Sequence, residues 1–199
     1  MRYVDLHVHV SLKTMLGKDS AKKPTCWTDL NVSDPIDKLS KGTFDSQSSL
    51  SQLARGKCSL AVAVIYPLET KLADADILQV LARLIDSKFC NKRLRDVKTG
   101  HWTSFQYAND ELKHILLTSN QMVDGVAKKL KVLEHWSDYN PGDEHNVHTI
   151  FTIEGGHTIS YGRNEKEDIS KMLANLKHFR AACPLFYYTM AHMQQMNFA

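Results

Sequence analysis

Four short stretches of the chain are apolar at nearly every position, rich in β-branched or aromatic residues, and bounded by charges or turn formers. They are Tyr3 to Val10, Ser59 to Tyr66, His148 to Glu154 and Leu185 to Met190. Runs of this kind predict strands covered on both faces, because a strand with one wet face alternates apolar and polar positions. Between the runs the spacing changes to three and four. Ala73 to Phe89 places Ile77, Leu78, Leu81, Leu84 and Ile85 on one helical face, and Asn120 to Trp136 does the same with Met122, Val126, Leu130 and Leu133. Asp168 to Phe179 carries a third stripe of Ile169, Met172, Leu173, Leu176 and Phe179. All three are expected to be amphipathic helices.

Strand, helix and strand in this order predict a parallel α/β protein, either an open doubly wound sheet or a (β/α)8 barrel, and periodicity does not choose between them. Residues 11–49 are polar, with Gly17, Pro24, Pro35 and Gly42, and read as a long functional loop or an inserted lid directly after the first strand, with simple disorder as the alternative. Trp27 and Phe44 are the loop's only aromatic residues, and at least one is expected to pack near the mouth of the sheet. Tyr139 to Glu144 reads as a turn ahead of the third strand.

Composition narrows the class. With 43% hydrophobic and 24% charged residues, the chain of 199 residues is globular material for one domain or part of one. The net charge is +3 and the basic residues are dispersed (Lys22-Lys23, Arg93 to Arg95, Lys128-Lys129), which argues against a nucleic-acid partner. No segment reaches the roughly 18 apolar residues of a membrane span. The first ten residues include Arg2, Asp5, His7 and His9 and carry no signal-like apolar run, so a cytoplasmic location is expected. Cys26, Cys58, Cys90 and Cys183 are widely spaced, without a C-x-x-C pair, and are read as reduced structural thiols.

Three constellations carry chemistry. In Asp5-Leu6-His7-Val8-His9 two imidazoles stand at i and i+2, so on an extended strand both project to one side, where a metal can take both nitrogens. In Thr152-Ile153-Glu154-Gly155-Gly156-His157 a carboxylate ends an apolar strand and two glycines let the backbone turn behind it. Such a carboxylate is either a ligand or charge partner, or a cap on the strand-to-helix corner. In Tyr187-Tyr188-Thr189-Met190-Ala191-His192 the last strand ends in an imidazole. Three predicted strands thus end in metal-type or catalytic-type side chains, which is where barrel enzymes assemble their sites.

Together the H-x-H strand, the Glu154-Gly155-Gly156-His157 corner and the strand running into His192 resemble the membrane (renal) dipeptidase family of the amidohydrolase superfamily. The segment Gln52 to Val62 is similar to that family's entry into its second strand, so the resemblance spans essentially the whole chain. It implies that residues 1–199 are the N-terminal half of a TIM-type metallo-hydrolase barrel, about four strand-helix units of eight. It implies His7 and His9 as metal ligands, with His9 standing where animal members carry aspartate, and Glu154 as the carboxylate bridging two divalent ions, with zinc the expected metal. His192 would be the catalytic residue that polarises the substrate carbonyl. Two further histidine ligands and a catalytic aspartate would come from later strands, so the chain is expected to be an inactive half as it stands, completed by a separately supplied second half or associating as a homodimer. The implied function is hydrolysis of dipeptides or related small amides. A metal-dependent phosphoesterase of the polymerase-and-histidinol-phosphatase type shares the opening strand but not the Glu-Gly-Gly-His corner, and a non-catalytic binding module is the alternative from another class.

Overall fold

The computed structural model of the chain describes residues 2–11, 25–29, 48–67, 96, 99, 101–160 and 168–189, with 186–189 followed along the backbone alone. The helix expected over 73–89, Phe44, Cys90 and His192 lie outside the described residues.

The elements run β1 (Tyr3–Val8), α1 (Leu50–Arg55), β2 (Cys58–Ile65), α2 (Ser104–Leu117), β3 (Asn120–Val123), β4 (Val126–Val132), β5 (Asn146–Glu154), α3 (Ile169–Ala182) and β6 (Phe186–Thr189). One-turn helices at Trp136–Asp138 and Gly156–Ile159 flank β5. The strands form one six-stranded sheet, and the protein is mixed α/β with a mostly parallel sheet. β5 organises it. One edge of β5 pairs with β2 from His148 to Ile153; the other is shared, with β4 along Asn146 to Thr149 and β6 along Phe151 to Glu154. Every residue of β5 from Val147 to Ile153 is buried, including the polar His148, Thr149 and Thr152, because the strand is paired on both edges.

β1 departs from the expected burial. It pairs in parallel with β2, but Tyr3, Val4 and Leu6 are exposed, Leu6 to 74%. Among the described residues β1 is an edge strand, paired with β2 alone.

The helix expected over 120–136 is corrected. Residues 120–132 form the antiparallel hairpin β3–β4, with Asn120 opposite Lys129 and Val123 opposite Val126. Asp124 (φ 51°) and Gly125 (φ 77°) both adopt left-handed backbone, the requirement of a tight two-residue hairpin turn. Of the supposed stripe, Leu130 and Leu133 are buried while Met122 and Val126 face outward.

The helices are fixed by their caps. Thr103 Oγ1 accepts the Gln106 backbone N–H at 3.1 Å and the Gln106 side chain returns the bond to Thr103 N at 2.9 Å, starting α2 with a reciprocal capping box. Asp168 caps α3 through Ser170 N at 2.9 Å. α3 follows the predicted span, burying Met172 and Phe179 but leaving Ile169 and Leu173 exposed. The Phe105 ring meets Phe179 edge-on at 5.5 Å and ties α2 to α3.

Of the long loop, residues 25–29 are held by α1. The Trp27 ring is buried in the core, its carbonyl accepts the Ser51 hydroxyl at 2.5 Å, and Asp29 pairs with Arg55. The described loop aromatic is therefore a core anchor. Among the described residues no helix is long and apolar enough to cross a membrane.

Two outcomes are expected. A Cβ added at Gly125 meets nothing within 4 Å, so Gly125→Ala costs only left-handed backbone strain, about 1–2 kcal/mol, read as a lower urea midpoint at unchanged slope. Cys26, Cys58 and Cys183 are free and buried, and burial pushes the Cys26 thiol up to about 11 and that of Cys183 up to about 12. Iodoacetamide at neutral pH should leave Cys26 and Cys183 unmodified in the folded protein and alkylate both in urea, as checked by peptide mass spectrometry.

Candidate metal centre

The site forms where β1 and β5 end at the same side of the sheet. Parallel pairing through β2 carries the C-terminal ends of both strands to one rim, so His7 and His9 meet Glu154 across a sequence separation of some 150 residues. Within β1 the register slips between Asp5 and Val8, where three residues face two of β2, and this bulge lies at the histidine pair. Bulges re-aim side chains in this way and are common beside functional sites.

The geometry is compact. His7 Nε2 lies 3.4 Å and His9 Nε2 3.3 Å from the same carboxylate oxygen, Glu154 Oε2. The two imidazoles stand edge to face with centroids 5.1 Å apart. Among the described residues these three form the only group of His, Cys, Asp or Glu able to hold a metal ion, their ligand atoms all within 4.8 Å of one another. Charge-assisted hydrogen bonds from an imidazolium close to about 2.7–2.9 Å, so contacts of this length are long for ion pairs. Ligands bound to one zinc at about 2.0–2.1 Å stand about 3.3 Å apart at tetrahedral angles, which matches the two His–Glu154 distances of 3.4 and 3.3 Å. The donor set, two imidazoles and a carboxylate, also fits a catalytic zinc centre that keeps a position open.

Electrostatics agree with that fit. Burial holds the His9 pKa below its ordinary value; Glu154 pulls it upward and His7 downward, and the net shift favours the neutral ring that ligates metals. His9 Nδ1 is buried without a hydrogen-bond partner. The strand carrying it is fixed from both sides: Ser48 Oγ donates to the His9 carbonyl at 3.0 Å, and the Ser11 hydroxyl donates to the fully buried Glu111 of α2.

The corner behind Glu154 is equally constrained. Gly155 has φ 79°, and a Cβ there would lie 2.5 Å from the His157 ring. His157 turns away from the three-ligand group: its Nε2–H donates to the Pro67 carbonyl at 2.9 Å, fastening the end of β2 to the end of β5. Tyr66 fills the space between, edge-on to His157 at 5.5 Å and to His9 at 5.8 Å. The structure therefore brings together His7, His9 and Glu154 of the expected residues. Tyr66, Ser48 and the Glu111–Ser11 contact were not singled out from sequence. Tyr66 could have been noticed, since it immediately follows a strand of the same parallel set. Ser48 and Glu111 reach β1 only through tertiary packing.

No protein-family model, curated protein or solved structure matches the chain. The functional reading therefore stands on the site itself.

Gly155→Ala combines left-handed strain with a steric clash, unlike Gly125→Ala. A loss of about 3 kcal/mol is expected, with weakened divalent-ion binding because Glu154 is displaced. Paired urea melts of the two variants and a zinc titration of Gly155→Ala test this.

Proposed function

We propose that the chain carries the metal-binding part of a hydrolase acting on dipeptides or related small amides, similar to the membrane dipeptidase family. The single observation behind this is the convergence of His7, His9 and Glu154 at ligand–ligand spacing on the C-terminal rim of a parallel sheet. The strand order supports a half-barrel: β1, β2, β5 and β6 are parallel neighbours in chain order, as in a (β/α)8 barrel, whereas a doubly wound sheet reverses direction at a switch point. On this reading β3–β4 is a hairpin inserted on the β5 edge.

His7, His9 and Glu154 would hold the divalent ion, with zinc as the first candidate. A zinc ion bound there supplies a Lewis acid and lowers the pKa of water toward neutrality. The remaining roles belong to the chain. Neutral His9 offers a nitrogen lone pair without first losing a proton, and the Glu154 carboxylate offsets the ion's charge in a half-dry setting. Tyr66 and the His157–Pro67 bond hold the ends of β2 and β5 together beside His9, so the ligands would be oriented before an ion arrives. His192 is proposed to polarise the scissile carbonyl, and further ligands and a proton shuttle would come from strands beyond this set, supplied by a second half or a partner copy.

Zinc titration followed by elemental analysis is the test. One ion per chain is expected, with affinity reduced at least about tenfold in Glu154→Gln, and no measurable dipeptide turnover from residues 1–199 alone. Zinc uptake indifferent to both Glu154→Gln and His9→Ala would overturn the site. Cleavage of phosphate monoesters but not dipeptides would replace the amide reading with the phosphoesterase one. Dipeptide turnover abolished by a chelator and by Glu154→Gln would keep the chemistry and show the site to be complete within this chain.

A further inference from the structure

A second titratable cluster lies at the opposite end of β5. His148 is fully buried near the strand's N-terminal end, and its ring is edge-on to Tyr139 at 5.4 Å. The hydrogen-bond directions around it are determined by chemistry. His148 Nδ1 lies 3.2 Å from the Ser59 carbonyl, and a carbonyl only accepts, so Nδ1 carries the proton. The Ser59 hydroxyl donates to the Tyr3 carbonyl at 3.0 Å, and it must then accept from the Tyr139 hydroxyl, 2.8 Å away. One polar chain thus links β5, β2, β1 and the 139–146 turn.

What remains is His148 Nε2. It is buried without a hydrogen-bond partner, and in the neutral Nδ1–H tautomer it is a bare lone pair. The nearest charge is the Asp143 carboxylate, with Oδ2 at 3.8 Å, too far for a hydrogen bond. Asp143 is committed to the turn: Oδ1 accepts His145 N at 2.9 Å and Oδ2 accepts the Asn146 amide at 2.5 Å. Burial opposes protonation of the ring most, the Ser59 carbonyl and Asp143 favour it, and the charges of Lys131 on β4 and Arg2 ahead of β1 oppose it. A proton added at Nε2 therefore has no acceptor in reach unless the turn moves.

We propose that His148 is a proton-operated latch: acidification protonates its buried Nε2 and loosens the 139–146 turn from the N-terminal end of the sheet, with Asp143 as the counter-charge that limits the effect. The sign follows from linkage. Burial lowers the folded-state pKa of His148 below its ordinary 6.5, so the opened or unfolded state takes up the proton first. The contribution of the neutral ring is complete above that value and declines as pH falls through the window beneath it. Asp143 works in the same direction at lower pH, since its own pKa, raised by burial but lowered more by its bonds to Asn146 and His145 and by His148, lies below the ordinary value. The latch is independent of the metal site, which occupies the other end of β5.

Two NMR measurements on the intact chain test this. The first is the titration and tautomer of the His148 ring. The Nδ1–H tautomer is expected at neutral pH, and removing the counter-charge in Asp143→Asn should move the titration midpoint down by about one pH unit. The second is amide exchange at Asp143 and His145, corrected for intrinsic rate, between about pH 7.5 and 5.5. Their protection should drop on acidification in the native protein, drop further in Asp143→Asn, and stay level in His148→Gln. Should His148→Gln fail to fold, the native protein and Asp143→Asn still decide, because a latch requires protection to begin falling near pH 6.5, where the opened ring takes up its proton, and to fall further in Asp143→Asn, whose folded ring titrates lower. Protection that is flat or rises with acid in the native protein, a drop that persists in His148→Gln, or an Nε2–H tautomer at neutral pH would overturn the proposal.

Discussion

Everything in this protein hangs on a strand that has no free edge. β5 hydrogen-bonds to β2 on one side and to β4 and then β6 on the other, and its seven central residues are buried. Chain so enclosed cannot carry a charge in its middle without a large desolvation cost, so its chemistry is pushed to the ends. At one end Glu154 emerges among two imidazoles; at the other His148 is still enclosed and relies on a carbonyl and a distant carboxylate. The two ends differ in water access, and that separates an open ligand set from a buried proton acceptor.

The corner at Glu154 illustrates how a short motif divides its labour. Only the first residue of Glu-Gly-Gly-His faces the imidazole pair. Gly155 supplies left-handed backbone and the empty volume that the His157 ring occupies, and His157 spends its proton on the Pro67 carbonyl. The motif is thus one carboxylate facing the imidazoles and three residues of joinery. The joint connects β5 to β2, and through Tyr66 it braces the outer face of His9.

How much of this was legible depended on the range of the interaction. The strands containing His7, Val62, Ile150 and Tyr188 could be read because a continuous apolar run has few other interpretations, and α3 because Asp168 and its stripe are local. The i, i+2 relation of His7 and His9 was likewise local. Residues 120–132 carry a helical spacing, since Met122, Val126 and Leu130 repeat every four positions, yet a hairpin satisfies the same spacing, and Asp124-Gly125 is the local signal that marks its turn. α2 was passed over although Thr103 and Gln106 spell a capping box. The convergence of Glu154 with the histidines, and of Ser59 with His148, depends on strand order, which no local pattern encodes.

The β3–β4 hairpin has a consequence for how this chain can be altered. Its tip, Asp124-Gly125, projects where an added atom meets nothing, and the two strands are anchored at their far end by the pairing of β4 with the first residues of β5. The turn lies in sequence well away from His7, His9 and Glu154. Exposed tips of this kind accept inserted sequence readily. An epitope, a fluorophore-bearing peptide or an entire small domain can therefore be spliced between Asp124 and Gly125, making the hairpin a handle by which the protein can be labelled or tethered while its chemistry is left alone.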